Sequence, residues 1–253
     1  MLQELLSLNI FGFFLIFARV GATFMLLPGF SAAFVSFPIR LQMALVVSFL
    51  LAPVLMDSLP VLPATPSELG LLFLGESTVG ILLGVLARII MGALQTMGTL
   101  AAYFSSLANA FIQDPIAEQQ SSLFAGFLST MGLLLIFATG MHHLMLKALV
   151  DSYSLFAPGE ALPFTDFSHL VARRVMDSFR LGVMLVSPLM ITGITYYVGL
   201  GLLGRLMPQL PVFFFGLPIQ ITMQIAVLMM TLSTAMMVFL SRFEDAFSGF
   251  LVP

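Results

Sequence analysis

Apolar residues along the chain gather into six runs, roughly 9–28, 39–56, 69–112, 122–150, 181–204 and 219–241. A helix needs about 20 residues to cross ~30 Å of hydrocarbon. Each run is near or above that length, so the pattern predicts an all-α, membrane-type fold. Three proline- and glycine-bearing stretches read as loops between runs: 57–68, 151–168 and 207–218. The run at 69–112 is too long for one crossing, because a helix over it would reach about 66 Å. It predicts either a helix projecting well beyond a bilayer or two shorter helices. Glu76, Arg88 and the glycines between Gly70 and Gly98 interrupt it, and a bent hairpin is the preferred expectation.

Residues 168–180 follow another pattern. At 100° per residue Val171, Ala172, Val175, Met176 and Phe179 share one arc, while Arg173, Arg174, Asp177 and Arg180 lie opposite and only Leu170 is misplaced. This predicts an amphipathic helix at a membrane or protein surface. It carries three of the nine basic residues, which by the positive-inside rule places it in the cytoplasm. Lys147, Arg205 and Arg242 are scattered elsewhere, so charge leaves the topology open. The five-residue echo between GVLAR (84–88) and GLLGR (201–205) is too short to carry a repeat.

Composition changes the picture by fixing the solvent. Of 253 residues, 60% are hydrophobic and 8% charged, against about 25% charged in ordinary soluble domains. So few charges cannot cover a water-facing surface, and lipid or a protein neighbour must take that place. A cytosolic enzyme, a secreted disulfide scaffold and a disordered chain are excluded. The absence of cysteine removes disulfides and thiolate sites. The net charge of −3, without a basic block, speaks against nucleic acid. MLQELLSLN opens with a carboxylate and no basic stretch, so the first apolar run is expected to stay in the mature chain.

No catalytic constellation is legible. Lys147 stands outside any glycine-rich phosphate loop, and the adjacent His142 and His143 point about 100° apart on a helix instead of forming a chelating i, i+4 pair. These two and His169 read as structural or interfacial, and neither metal nor cofactor is expected. Charges inside apolar runs are more informative. Arg19, Glu76 and Arg88 are costly at membrane depth unless paired or wetted. They mark buried or intersubunit ion pairs or, in the alternative, the ion path of a secondary ion or solute transporter. Glu76 and Arg88 are twelve residues apart and cannot meet on one straight helix. A small-residue stripe, Gly80, Gly84, Gly92, then Ala101, Ser105, Asn109 and Ala102, Ser106, Ala110, predicts close helix packing, or a passage lined by the same face. The eighteen methionines suit soft, adaptable packing.

The local anomaly is NAFIQDPIAEQQSS (109–122), a polar island between two strongly apolar runs. Asp114-Pro115 marks a turn, with Phe111 and Ile112 just before it. The segment reads as a surface hairpin loop or as a re-entrant loop lining a cavity.

Taken together, FARVGATFMLLPGFS (17–31) with Arg40 opening the next run, Glu76-x3-Gly80-x3-Gly84 with Arg88, Asp114-Pro115, GMHHLMLKALVDSY…PG (140–159) and LGRLMPQLPVFFFGLPIQI (203–221) resemble the FliR/SctT family. These are the R-type export-gate subunits of flagellar and related type III secretion machines. The phrases occur in the family's order over nearly the whole chain. One departure is Pro211, where the family more often has asparagine; a backbone donor and a polar side chain are lost there.

The resemblance implies a single export-gate domain over 1–253. It implies bent helical hairpins that pack, one copy of this chain with several P-type and Q-type partners, into a spiral around a pore for unfolded substrates. B-type switch and A-type export subunits complete the implied partners. It also implies that a loop corresponding to about 105–122 plugs the closed channel. The plug would comprise Ser105, Ser106, Asn109, Phe111, Ile112, Gln113, Asp114 and Pro115, with Phe111 and Ile112 as the apolar blockers. Arg19, Arg40, Glu76 and Arg88 would be buried or intersubunit charges. The implied location is the bacterial inner membrane at the flagellar basal body, multi-pass by hydropathy, with the complex largely on the periplasmic side. The implied role is pore-forming and not enzymatic.

Overall fold

The computed structural model describes residues 2–32, 34–107, 123–207, 209 and 212–250. It is all-α: the described residues form seven helices and one 3-10 turn, with no strand among them. In chain order these are α1 (Leu2–Leu26), α2 (Phe37–Leu55) with the turn Met56–Ser58 behind it, α3 (Pro66–Phe104), α4 (Leu123–Ala138), α5 (Met141–Leu155), α6 (Phe164–Leu206) and α7 (Val212–Ser248). Four helices are long and apolar enough to cross a membrane, and the α4–α5 pair makes a fifth if it counts as one broken span. Each of the six sequence runs falls on a single helix except 122–150, which falls on two.

The largest correction concerns the expected hairpin within 69–112. α3 is one uninterrupted helix of 39 residues, about 58 Å long. Glycine alone does not break a helix whose backbone bonds continue and whose flanks are packed. The bend falls instead in the run 122–150, where α4 and α5 meet at 74°. Gly140 supplies it by adopting φ +75°, a left-handed conformation that a side chain resists. Its N–H donates to the Phe137 carbonyl at 3.2 Å, closing α4, and its own carbonyl accepts the His143 N–H at 3.0 Å, opening α5. A Cβ at 140 would meet only ordinary contact with His143, so Gly140→Ala is expected to cost about 1–2 kcal/mol through the backbone alone. A lowered midpoint of thermal unfolding of the purified protein checks this, and an unchanged midpoint refutes it.

The loops are also shorter than expected. α3 begins at Pro66, a favoured first-turn position for proline, and α5 and α6 take both ends of 151–168. The amphipathic stretch 168–180 is the opening part of the 43-residue α6 and not a separate helix. Its apolar arc is exposed at Val175, Met176 and Phe179. The face turned inward carries Phe167, edge-on to Phe156 at 5.2 Å, and Arg174, which donates to the Ala246 carbonyl at 3.5 Å. Farther along α6, Pro188 cannot donate to the Met184 carbonyl. The Ser187 hydroxyl donates there instead, at 2.8 Å, so the helix passes its proline with that acceptor satisfied.

The chain divides into two compact units: Met1–Ile89, Phe137–Arg174 and Glu244–Pro253 form the first, and Ile90–Ile136 with Val175–Phe243 the second. The first is cored by Leu15, Ile16, Val20 and Phe24 of α1, Val79, Leu83 and Ala87 of α3, and Met145, Ala148 and Leu149 of α5. The second is cored by Leu94 and Met97 of α3, Leu128 and Ile136 of α4, Val186 and Leu189 of α6, and Met236 and Phe239 of α7. Much apolar surface remains outside both. On α2, whose only ionic side chain is Arg40, Val46, Phe49, Leu50 and Val54 are 59–71% exposed. Such a helix has to be solvated by lipid or by a neighbouring subunit.

Candidate functional site

Two polar arrangements stand inside these apolar units. The first is centred on Arg19 of α1, which is fully buried, as is Glu76 of α3 but for 3%. The guanidinium meets the carboxylate in a fork: Nε donates to Oε2 at 2.7 Å and Nη2 to Oε1 at 2.9 Å. The remaining N–H groups are also used. Nη1 donates to the Ser152 carbonyl at 3.0 Å and its Oγ at 3.2 Å, and Nη2 to the Phe156 carbonyl at 2.8 Å. Arg19 Cζ lies 4.0 Å over the Tyr153 ring, a cation–π contact. All five donors of the arginine are thereby engaged, which is what a buried guanidinium requires. α1, α3 and the end of α5 meet at this point.

The small residues beside it explain how α1 and α3 come so close. A Cβ on Gly80 would collide with the Arg19 carbonyl oxygen and with Ala22, and one on Gly84 with the Leu26 Cβ. The Thr23 hydroxyl donates at 2.8 Å to the Arg19 carbonyl and also reaches the Gly80 carbonyl at 3.2 Å. Gly92 differs, since a Cβ there would meet only Ser178 Oγ at 3.5 Å. A closer approach that the stripe did not include is Gly98, where a Cβ would strike Ala125 and Phe124.

The other two charges lie apart from this centre. Arg40 is half-buried and donates to the Val35 carbonyl at 3.0 Å and the Ala32 carbonyl at 2.7 Å, tying down the turn before α2. Arg88, expected among the buried or intersubunit charges, is exposed, with Nη2 3.4 Å from Ser31 Oγ. It stands four residues after the buried Gly84, one helical turn farther along α3.

The second arrangement is the end of α3, from which the polar segment departs. Of the expected plug residues, Ser105 and Ser106 are placed; Asn109, Phe111, Ile112, Gln113, Asp114 and Pro115 lie outside the described residues, as does Pro211. The Leu107 N–H donates to the Ala102 carbonyl at 3.1 Å and the Ser106 N–H to the Tyr103 carbonyl at 3.2 Å. This pair of bonds is a Schellman ending. Its left-handed position usually belongs to glycine, and here Ser106 holds it at φ +59°, alone among the described non-glycine residues in having positive φ. Ser106 Oγ and the Tyr197 hydroxyl share a 2.8 Å hydrogen bond. Gln220 Nε2 of α7 donates to the Phe104 carbonyl at 2.7 Å. Ser105 is fully buried and donates to the Ala102 carbonyl at 3.1 Å.

Sequence reading missed Tyr197, Gln220 and Gln224 at this end, and Ser152 and Tyr153 around Arg19. The glutamines carried a signal: in PIQITMQIAV they stand four apart, on one face of a strongly apolar stretch. Elsewhere in the second unit a cavity of about 460 Å³ lies among Leu200, Leu203, Met207 and Phe215. Its polar side chains are Thr195 and Tyr196, and the Tyr196 hydroxyl is spent on the Gly216 carbonyl at 2.6 Å. No group of three metal-ligating side chains converges among the described residues.

Comparison with known proteins adds the family. The profile of bacterial export proteins, family 1, matches residues 10–246. A flagellar biosynthetic protein FliR of Caulobacter vibrioides is 34% identical over 231 residues, covering 91% of this chain and 92% of that protein. FliR of Escherichia coli is 29% identical over 83% of this chain and 80% of its own. The Yop proteins translocation protein T of Yersinia pestis is 30% identical over 78% of this chain and 80% of its own. The chain belongs to this family of bacterial export proteins, the FliR/SctT family. With four to five apolar helices of spanning length, it is a multi-pass inner-membrane subunit of a multi-subunit export apparatus.

Proposed function

We propose that this chain is a pore-forming, non-enzymatic subunit of the flagellar type III protein export gate, and that its segment 105–122 plugs the closed channel through which unfolded export substrates pass. The observation that carries the reading is the setting of that segment. It is a polar island with a central Asp114-Pro115 turn, it lies between two apolar helices of an export-family chain, and Phe104 and Ser106 at its root are bonded by side chains of two other helices. The flagellar assignment follows the names of the relatives that cover most of the chain. One copy of this chain with several P-type and Q-type subunits forms the gate, next to B-type switch and A-type export subunits at the basal body. The whole of 1–253 serves as one export-gate domain.

The transporter alternative drew on Arg19, Glu76 and Arg88 as an ion path. Arg19 and Glu76 are committed to one another, with all five N–H groups of the arginine occupied, and Arg88 stands apart from them at the surface, so the three do not line one ion path. Deleting residues 110–116 in the native host is expected to make the assembled gate leak small solutes, measured as uptake of a small impermeant dye. Unchanged permeability with the complex still assembled would sink the plug assignment.

A further inference from the structure

The cavity between α6 and α7 is long and narrow. Its lining runs along α6 from Thr195 to Met207, about 18 Å of helix, and is closed from α7 by Phe215, Gly216 and Ile219. Spread over that length, the volume of about 460 Å³ makes a strip about 25 Å² in section. A helix about 10 Å across needs about three times that section. One unbranched hydrocarbon chain, with carbons in contact at about 4 Å, fills it. An apolar void of about 150 Å³ holds a six-carbon ring, so this one has room for about eighteen carbons.

The lining also calls for hydrocarbon. Thr195 and Tyr196 are its polar side chains among the described residues, and both hydroxyl hydrogens are spent, on the Ile191 carbonyl at 2.8 Å and the Gly216 carbonyl at 2.6 Å. Leu203, Met207, Phe215 and Ile219 are exposed, so the cavity is a groove open to whatever surrounds these two helices of spanning length. Two glycines shape it in different ways. A Cβ on Gly216 would stand 2.9 Å from Leu200 Cδ2, whereas one on Gly199 would meet nothing within 4 Å. Gly216 lets α7 approach α6, and Gly199 leaves the groove empty.

Charge defines the other end of the occupant. Arg205, in the last turn of α6, is exposed and is the only ionic side chain between Arg180 and Arg242. Leu203 and Met207, which both line the groove, stand two residues to either side of it. A basic residue that ends an apolar spanning helix lies at the level of the lipid headgroups, and this stretch of chain brings it no carboxylate. We propose that the α6–α7 groove binds one acyl chain of an anionic phospholipid, with the lipid phosphate on Arg205.

Lipid retained by the purified protein in detergent, counted by native mass spectrometry, tests this with dioleoyl phosphatidylglycerol against dioleoyl phosphatidylethanolamine. The wild type is expected to hold one molecule per chain and to prefer the anionic lipid about fivefold, the effect of one basic residue at an anionic lipid surface. Gly199→Leu puts a side chain into the groove without a clash. It is expected to lower retention of both lipids about tenfold, as displacing two buried methylenes does, with membrane abundance unchanged. Arg205→Gln is expected to keep the acyl-chain site and lose the preference. A photoreactive phenylalanine analogue in place of Phe215, irradiated in native membranes, reads the occupant directly. A lipid adduct supports the site, and a cross-linked polypeptide assigns the groove to a neighbouring subunit and overturns it. Retention unaffected by Gly199→Leu also overturns the site, and a preference unaffected by Arg205→Gln overturns the headgroup assignment. Should Gly199→Leu fail to accumulate, Arg205→Gln and the cross-link decide.

Discussion

Arg19→Met is expected to lower the stability of the assembled protein by about 3–5 kcal/mol, because it leaves the Glu76 carboxylate buried without its counter-charge. Few single changes in this chain remove as much. The arginine engages Glu76 twice, the Ser152 carbonyl and hydroxyl, the Phe156 carbonyl and the Tyr153 ring. Replacing both charges, as in Arg19→Met/Glu76→Met, is expected to recover most of the loss, since an apolar pair of similar volume often serves a buried site as well as an ion pair does. Recovery is incomplete for an identifiable reason. The Ser152 carbonyl keeps the Phe156 N–H as a donor at 2.9 Å, whereas the Phe156 carbonyl loses the guanidinium. Thermal unfolding of the purified complex, with membrane abundance as a second readout, measures both variants. A single variant as stable as the wild type would show that the centre contributes nothing, and a double variant no better than the single would show that the arginine acts through its carbonyl bonds alone.

How far the sequence discloses this molecule differs by kind of feature. Helices were legible because an apolar run of twenty residues leaves little else for a backbone to do in lipid. Their breaks were not. Gly70 to Gly98 looked like a bend, but Gly80, Gly84 and Gly98 are surfaces against which α1 and α4 pack, and the helix runs straight through them. The actual bend depends on Gly140, a residue unremarkable in sequence until its φ of +75° is known. The partner of Glu76 could not be read locally, being 57 residues away on α1, while the nearer Arg88 points outward.

The two polar arrangements were unequally visible for the same reason. A charge in an apolar run announces itself, so Arg19 and Glu76 drew notice before any partner was known. Gln220 and Gln224 are uncharged and sit in a helix whose apolar residues dominate the pattern, yet both are buried and both act on neighbouring helices. The polar island after Ser106 was conspicuous as composition. What composition did not disclose is that its root is held from outside, by residues ninety and more positions away.

Gly80→Ala is expected to destabilise the first unit by about 1–3 kcal/mol, the usual cost of overpacking a close-fitted interface, and Gly92→Ala on the same helix to do almost nothing. The difference lies in what each new methyl meets. At Gly80 it meets the Arg19 carbonyl oxygen, a backbone atom of α1 that moves only if the helix moves. That displacement would pull Arg19 away from Glu76 and strain the Thr23 hydroxyl bond to the Gly80 carbonyl, so the cost should rise toward the upper end of the range. At Gly92 the methyl finds a serine hydroxyl at 3.5 Å, ordinary contact, and replacing glycine within a helix gains up to about 1 kcal/mol of propensity. The two substitutions are equal in chemistry and in helical setting, so their comparison isolates packing from propensity. Thermal midpoints of the two purified complexes decide the matter: a lowered midpoint for Gly80→Ala beside an unchanged or raised one for Gly92→Ala is the expected pair. Equal midpoints would mean that α1 and α3 can part at no cost, and that the small-residue stripe does not set their approach.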